Sequence, residues 1–369
     1  MKIGIITYWY GEENYGQILQ CHALQKFLRD RGHDAFLIKY KPQSYKIWQL
    51  RFRDFMFMWL KLLYLLNKDN LRMSMRFRNM AARPTASRHT RGFSLFRDEH
   101  IVSTDEVYDQ HELYDNPPDA DAYITGSDQV WRMPDSCYFL DFVPKGKTRV
   151  AYAPSFGNDC LPKVFRGTVR KYLSKFDMVT VREVSGLRIC SDLGRADAKL
   201  VPDPTFLLDA SQYDRLMPAR IASEPYLFVY LLGNKTDFDL EHLYAWATRH
   251  KLAVKYVASC GAPDREGSIY PNVGEWLALI RDAEYVVTNS FHGMVFSILF
   301  NKHFVVLPLA DEFSRMNGRL YTVAGKLGLL SRIYDGRLER LSEPIDYAVI
   351  NESLISLREE IERMFLQCL

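Results

Sequence analysis

Lys2-Ile3-Gly4-Ile5-Ile6-Thr7-Tyr8, the turn Gly11-Glu12-Glu13-Asn14-Tyr15-Gly16, the run Ile18 to Leu28 and the run Ala35 to Lys39 stand in that order at the start of the chain. They read as strand, loop, helix and strand. Ile18, Cys21, Leu24, Phe27 and Leu28 recur at three- and four-residue spacing, which is the apolar stripe of a helix, and Gly32 stops it. A strand-helix-strand unit implies parallel pairing and a right-handed crossover. The pattern resumes with strand-like runs at Ala122–Thr125, Arg149–Ala153, Met178–Val181 and Lys199–Val201. A second series follows: strand Tyr226–Leu232, helix Asp239–Arg249, strand Ala253–Val257, helix Gly274–Arg281, strand Tyr285–Thr288, helix Phe291–Phe300 and strand Phe304–Leu307. Between the two series, Asp203-Pro204 through Pro218 to Pro225 is rich in proline and polar residues, as interdomain linkers are. Leu354, Leu357, Ile361, Met364 and Phe365 give a last helix one apolar face, suited to packing back across the lobes. The expectation is α/β: a first lobe over 1–215 with an insertion at about 45–100, a second over 216–345 and a C-terminal helix over 346–369.

The length of 369 residues exceeds what one core usually supports, which agrees with two lobes. A net charge of +3 is too small to argue for nucleic acid. Six cysteines (Cys21, Cys137, Cys160, Cys190, Cys260, Cys368) are scattered without a CxxC pair, so neither zinc nor a disulfide framework is expected. Reduced cysteines, and an opening strand without a signal peptide's long apolar stretch, point to the cytoplasm. Phe55 to Leu66 is the longest apolar run, at 12 residues; a spanning helix needs about 20. Lys46 to His100 carries a net +8, leaving the rest of the chain at −5. With Trp48, Phe52, Phe55, Phe57 and Trp59 it suits either the surface of an anionic inner membrane or an insertion helix that packs on its own lobe.

Ligands of open α/β sheets bind beyond the carboxyl ends of strands, so the residues following strands carry the functional reading. Asn289-Ser290-Phe291-His292-Gly293 follows one strand and opens a helix. Asn289 or Ser290 suits the N-cap, free backbone N–H groups there favour an anion, and His292 can hold phosphate or give a proton. Gly126-Ser127-Asp128-Gln129-Val130-Trp131 follows another, as a strand-to-helix turn. There Asp128 could take a proton from a hydroxyl and Gln129 could bond a sugar, or Trp131 could simply be core. Arg182, at a third strand end, either clamps an anion through its planar fork or forms an ordinary surface pair with Glu183. Asn14-Tyr15-Gly16-Gln17 is a substrate-contact loop or a helix start. The chain lacks the GxxxxGK[ST], GxGxxG, GxSxG and HExxH patterns, which sets aside common NTPases, dinucleotide enzymes, α/β-hydrolases and zinc hydrolases.

In order along the chain, Asn14-Tyr15-Gly16, Gly126-Ser127-Asp128-Gln129-Val130-Trp131, Val181-Arg182-Glu183 with Ser185-Gly186, Val201-Pro202-Asp203-Pro204-Thr205 and Ser290-Phe291-His292-Gly293 resemble the polysaccharide pyruvyl transferase family. The resemblance implies two Rossmann-like lobes facing a cleft, similar to GT-B glycosyltransferases. It implies transfer of a pyruvyl group from phosphoenolpyruvate to a hexose of a surface polysaccharide or its lipid-linked precursor, giving a ketal. No cofactor or metal is then required beyond phosphoenolpyruvate as co-substrate. His292 and Asp128 would be catalytic. Arg182, Ser290, Asn289 and Gly293 would bind the donor, and Asn14, Tyr15 and Gln129 the acceptor. Many members carry Arg-Leu-His-Gly where this chain has Ser290-Phe291-His292-Gly293, so Arg315 or Arg319 is expected to supply the missing cation. The alternatives are a nucleotide-sugar glycosyltransferase of the same architecture and a non-catalytic polysaccharide-binding protein.

Overall fold

The computed structural model describes residues 1–12, 14–42, 62, 91–220, 224–233, 238–259 and 265–369. Seven strands make the first sheet: β1 (Lys2–Ile6), β2 (Asp34–Tyr40), β3 (Ser103–Tyr108), β4 (Ala122–Thr125), β5 (Thr148–Ala151), β6 (Met178–Val181) and β7 (Lys199–Leu200). Their order is β3-β2-β1-β4-β5-β6-β7, with every pairing parallel. The order reverses between β1 and β4, which opens a crevice at their carboxyl ends. The second sheet has β8 (Tyr226–Tyr230), β9 (Ala253–Val257), β10 (Tyr285–Thr288) and β11 (His303–Val306) in the order β11-β10-β8-β9, again all parallel. Its reversal lies between β8 and β10. Strands covered on both faces read as unbroken apolar runs, and β8, Tyr-Leu-Phe-Val-Tyr, is buried at every position. The two Rossmann-like lobes expected from the sequence are the ones observed.

Three features differ from the expectation or extend it. Strand β3, Ser-Thr-Asp-Glu-Val-Tyr, has no residue that is fully buried; it is a sheet edge, where polar side chains guard the free backbone groups. The proline-rich junction Asp203 to Pro225 packs at its start and is exposed from Asp214 to Arg220 apart from the half-buried Leu216 and Met217. Pro204–Leu207 forms a buried 3-10 turn, and Tyr213 sets its ring edge-on to Phe296, 4.9 Å away, in the second lobe. Most of the basic aromatic insertion lies outside the described residues; where description resumes, Arg91 is buried and donates to the Ala258 carbonyl of the second lobe at 3.0 Å. Among the described residues no helix is long and apolar enough to cross a membrane.

The last helix, Tyr347–Cys368, straddles both lobes. At its start the Tyr347 hydroxyl donates to the Lys302 carbonyl. Further along, Arg358 donates to the Phe206 carbonyl at 2.8 Å, Glu362 pairs with Arg31 at 2.7 Å, and Phe365 packs on Phe27 and Tyr152.

Candidate active site at the junction of the lobes

Strand β10 ends at Thr288 and the helix Phe291–Leu299 begins three residues later. Ser290 is the N-cap; its Oγ accepts from the Gly293 N–H at 3.3 Å. Asn289 does something else. Its side chain accepts from the Leu232 N–H at 2.6 Å and donates to the Leu232 carbonyl at 3.1 Å, tying the ends of β8 and β10 together at the reversal point. His292 then falls in the first helical turn, 7% exposed, and points at the other lobe. Two first-lobe groups grip its ring. Asp203 Oδ2 lies 3.6 Å from Nε2. Gly16 passes so close that a Cβ added there would sit 1.8 Å from Nδ1, so only glycine fits beside this histidine.

Asp203 collects the buried charge. It accepts from Arg182 Nη1 at 2.9 Å, from Ser127 Oγ at 3.0 Å, and from the Thr205 N–H and hydroxyl at 3.1 and 2.8 Å. Burial alone would raise its carboxyl, but His292, and then Arg182, outweigh that and hold it well below the usual carboxylate range. The Arg182 side chain is wholly buried; Asp128 and Glu183 stand 3.6 and 3.5 Å from it. Burial opposes its charge, yet Asp203, Glu183 and Asp128 together raise its pKa. The ordinary surface pair read for Arg182 and Glu183 is therefore corrected: both side chains are buried.

Asp128 does not start a helix. The chain after β4 runs through irregular turns, and Asp128 adopts a left-handed φ of 72° with its Oδ1 accepting from the Gln129 N–H at 2.8 Å. Trp131 is core, stacked on Phe139 at 4.7 Å. Asn14 caps the first helix, accepting from the Gln17 N–H at 3.1 Å. Tyr15 is buried, stacks on Trp276 at 4.8 Å and donates to the Pro271 carbonyl at 2.6 Å, so it joins the lobes.

Gln129, Ser155, Glu183 and Ser185 of the first lobe and Arg315 and Arg319 of the second line one small cleft beside this cluster. Arg319 lies over the Phe291 ring at 5.4 Å, and Arg182 approaches the same ring at 5.1 Å. Burial, and then the nearby Arg182, hold Arg319 down to about 10. Among the described residues Arg319 has no ion-pair partner. Asp128, Glu183 and Asp203 attract it only from beyond ion-pair distance, and a guanidinium with lowered pKa and no contacting carboxylate is a place for an anion. His292, Arg182, Asp128, Ser290 and Gly293 thus gather at one junction, with Gln129, Arg315 and Arg319 in the adjoining cleft. Asn14 and Tyr15 make the cap and the contacts between lobes described above. Asp203 and Glu183 stand in the family-like runs Val201–Thr205 and Val181–Glu183, but nothing local in the sequence marks the charge that the fold gathers on them. Among the described residues no group of three or more His, Cys, Asp or Glu is disposed to hold a metal ion.

A family model described as polysaccharide pyruvyl transferase matches residues 14–311. No curated protein matches the chain. Similar solved structures include a UDP-N-acetylglucosamine 2-epimerase from Rickettsia bellii (12% identity, 99% of this chain and 96% of that one, TM-score 0.46). They also include the glycosyltransferase SsfS6 from Streptomyces sp. SF2575 complexed with thymidine diphosphate (12% identity, 100% and 99%, TM-score 0.40).

Proposed function

This chain belongs to the polysaccharide pyruvyl transferase family, and from that we propose that it transfers a pyruvyl group from phosphoenolpyruvate to a hexose of a surface polysaccharide or its lipid-linked precursor, forming a ketal. The observation that carries the reading is the meeting of His292 and Arg182, from opposite lobes, on one buried carboxylate at the point where the first sheet's crevice opens. Phosphoenolpyruvate bears a phosphate and a carboxylate and needs cations in a confined, water-poor cleft. Arg319 and Arg315 line such a cleft, and they stand in for the arginine that Ser290 replaces. His292, oriented by Asp203, delivers a proton to the methylene carbon. A sugar hydroxyl adds to the neighbouring carbon, and a second closes the ring as phosphate leaves. Arg182 sets the field behind these groups, because its own side chain is closed to solvent. No further cofactor enters.

The test is release of phosphate from phosphoenolpyruvate in the presence of candidate hexose glycans. The wild type should turn over, and His292→Ala should lose about 100-fold or more. Failure of every glycan, together with thermal stabilisation by a nucleoside diphosphate and not by phosphoenolpyruvate, would replace this reading with glycosyl transfer.

A further inference from the structure

We infer that Glu183 is the carboxylate that takes the proton from the acceptor hydroxyl, an assignment that rests on the pyruvyl-transfer reading. Three carboxylates surround Arg182, and their hydrogen bonds together with their places relative to the cleft separate them. Asp203 is saturated by Arg182, Ser127 and Thr205. Asp128 has one oxygen engaged, Oδ1, which holds its own left-handed turn, but it stands outside the cleft that Glu183 lines. Glu183 has one oxygen engaged, Oε1, which accepts from the Ser155 hydroxyl at 2.6 Å. Its other oxygen, Oε2, is buried and faces Arg182 Nε at 3.5 Å, an ion pair without a hydrogen bond, and Glu183 lines the cleft that also holds Arg319 and Gln129. A buried carboxylate oxygen left unbonded costs free energy unless something outside the chain bonds to it. A hydroxyl donor in the cleft supplies the hydrogen bond that Arg182 does not.

Local structure does not account for Glu183. It occupies the N-cap of the helix Val184–Asp192, yet its side chain makes no capping bond. Arg182 Nε, the cation nearest Oε2, makes no hydrogen bond to it. The cleft therefore offers a cation for the donor and a carboxylate for the acceptor from different lobes. In the reaction, Glu183 removes the hydroxyl proton while the sugar oxygen bonds to C2 of the enolpyruvate. The C2=C3 electron pair takes the His292 proton at C3, giving the methyl group. The second sugar hydroxyl then bonds to C2 as the C2–O bond to phosphate breaks. Phosphate leaves with that electron pair and with the second hydroxyl's proton, and solvent returns the proton of Glu183 to His292.

Glu183→Gln keeps the shape and the bond from Ser155 but cannot take a proton. Turnover should fall about 100-fold, while stabilisation by phosphoenolpyruvate stays as in the wild type. Formate should restore part of the turnover to Glu183→Ala. If Glu183→Gln does not fold, Glu183→Asp keeps the charge facing Arg182 while drawing the carboxylate back, and it should lose about tenfold or more with donor stabilisation intact. Full turnover in whichever variant folds, or a loss confined to Asp128→Asn, would overturn the assignment. A wild type that turns over no glycan would instead sink the pyruvyl-transfer reading on which the assignment stands.

Discussion

Asp203 joins a histidine and an arginine from different lobes, and its ionisation therefore bears on stability as well as chemistry. Its carboxyl lies lower in the folded state than the ordinary value of about 4. A depressed carboxyl contributes stability fully above that ordinary value, and the contribution is lost as pH falls below about 4 toward the folded-state value. Asp203→Asn should cost about 3–5 kcal/mol at neutral pH, because it leaves Arg182 without its best partner. The gap between variant and wild type should narrow below about pH 4. Urea unfolding from pH 7 down to pH 3 measures both effects, and a gap unchanged at low pH would contradict them. The sequence sets Asp203 in a family-like run but gives no sign of its central place. Val-Pro-Asp-Pro-Thr shows a carboxylate at a strand end, but what makes it low and central is contact with Arg182 and His292, which only the assembled fold supplies.

The element that carries His292 was legible because its parts obey local rules. Tyr285–Thr288 is a short β-rich apolar run, Ser290 is a cap residue, and the following nine residues are buried all round. The sequence left the cap open between Asn289 and Ser290, since both residue types cap well; only the bonds to Leu232 show that Asn289 faces the neighbouring strand. Ser290→Ala should cost about 1 kcal/mol of stability, read from the thermal midpoint. Turnover should fall alongside, since the first turn carrying His292 frays; an unshifted midpoint would mean that Ser290 is no cap. Elements whose logic is not local escaped the reading. The polar strand β3 exists because β2 needs an edge partner. The loop after β4 failed to become a helix because Asp128 turns left-handed toward Arg182.

Across the whole molecule, the final helix fastens the lobes. Ending the chain at residue 346 would uncover the apolar surfaces that meet Leu354, Leu357, Ile361 and Phe365, all buried. Calorimetry of that truncation should show a lower and broader transition than the single cooperative one expected of the full chain, and an unchanged melt would assign the helix no fastening role. The clasp of Gly16 on the His292 ring has a consequence for descent. A histidine carried by one lobe is accommodated by a missing methyl group on the other, so the two halves of the gene are not free to be exchanged piecemeal. A first lobe from a distant relative with alanine at this place would evict the ring on arrival, however well each half folds by itself. Recombination between such genes should be tolerated only where the glycine and the histidine travel together.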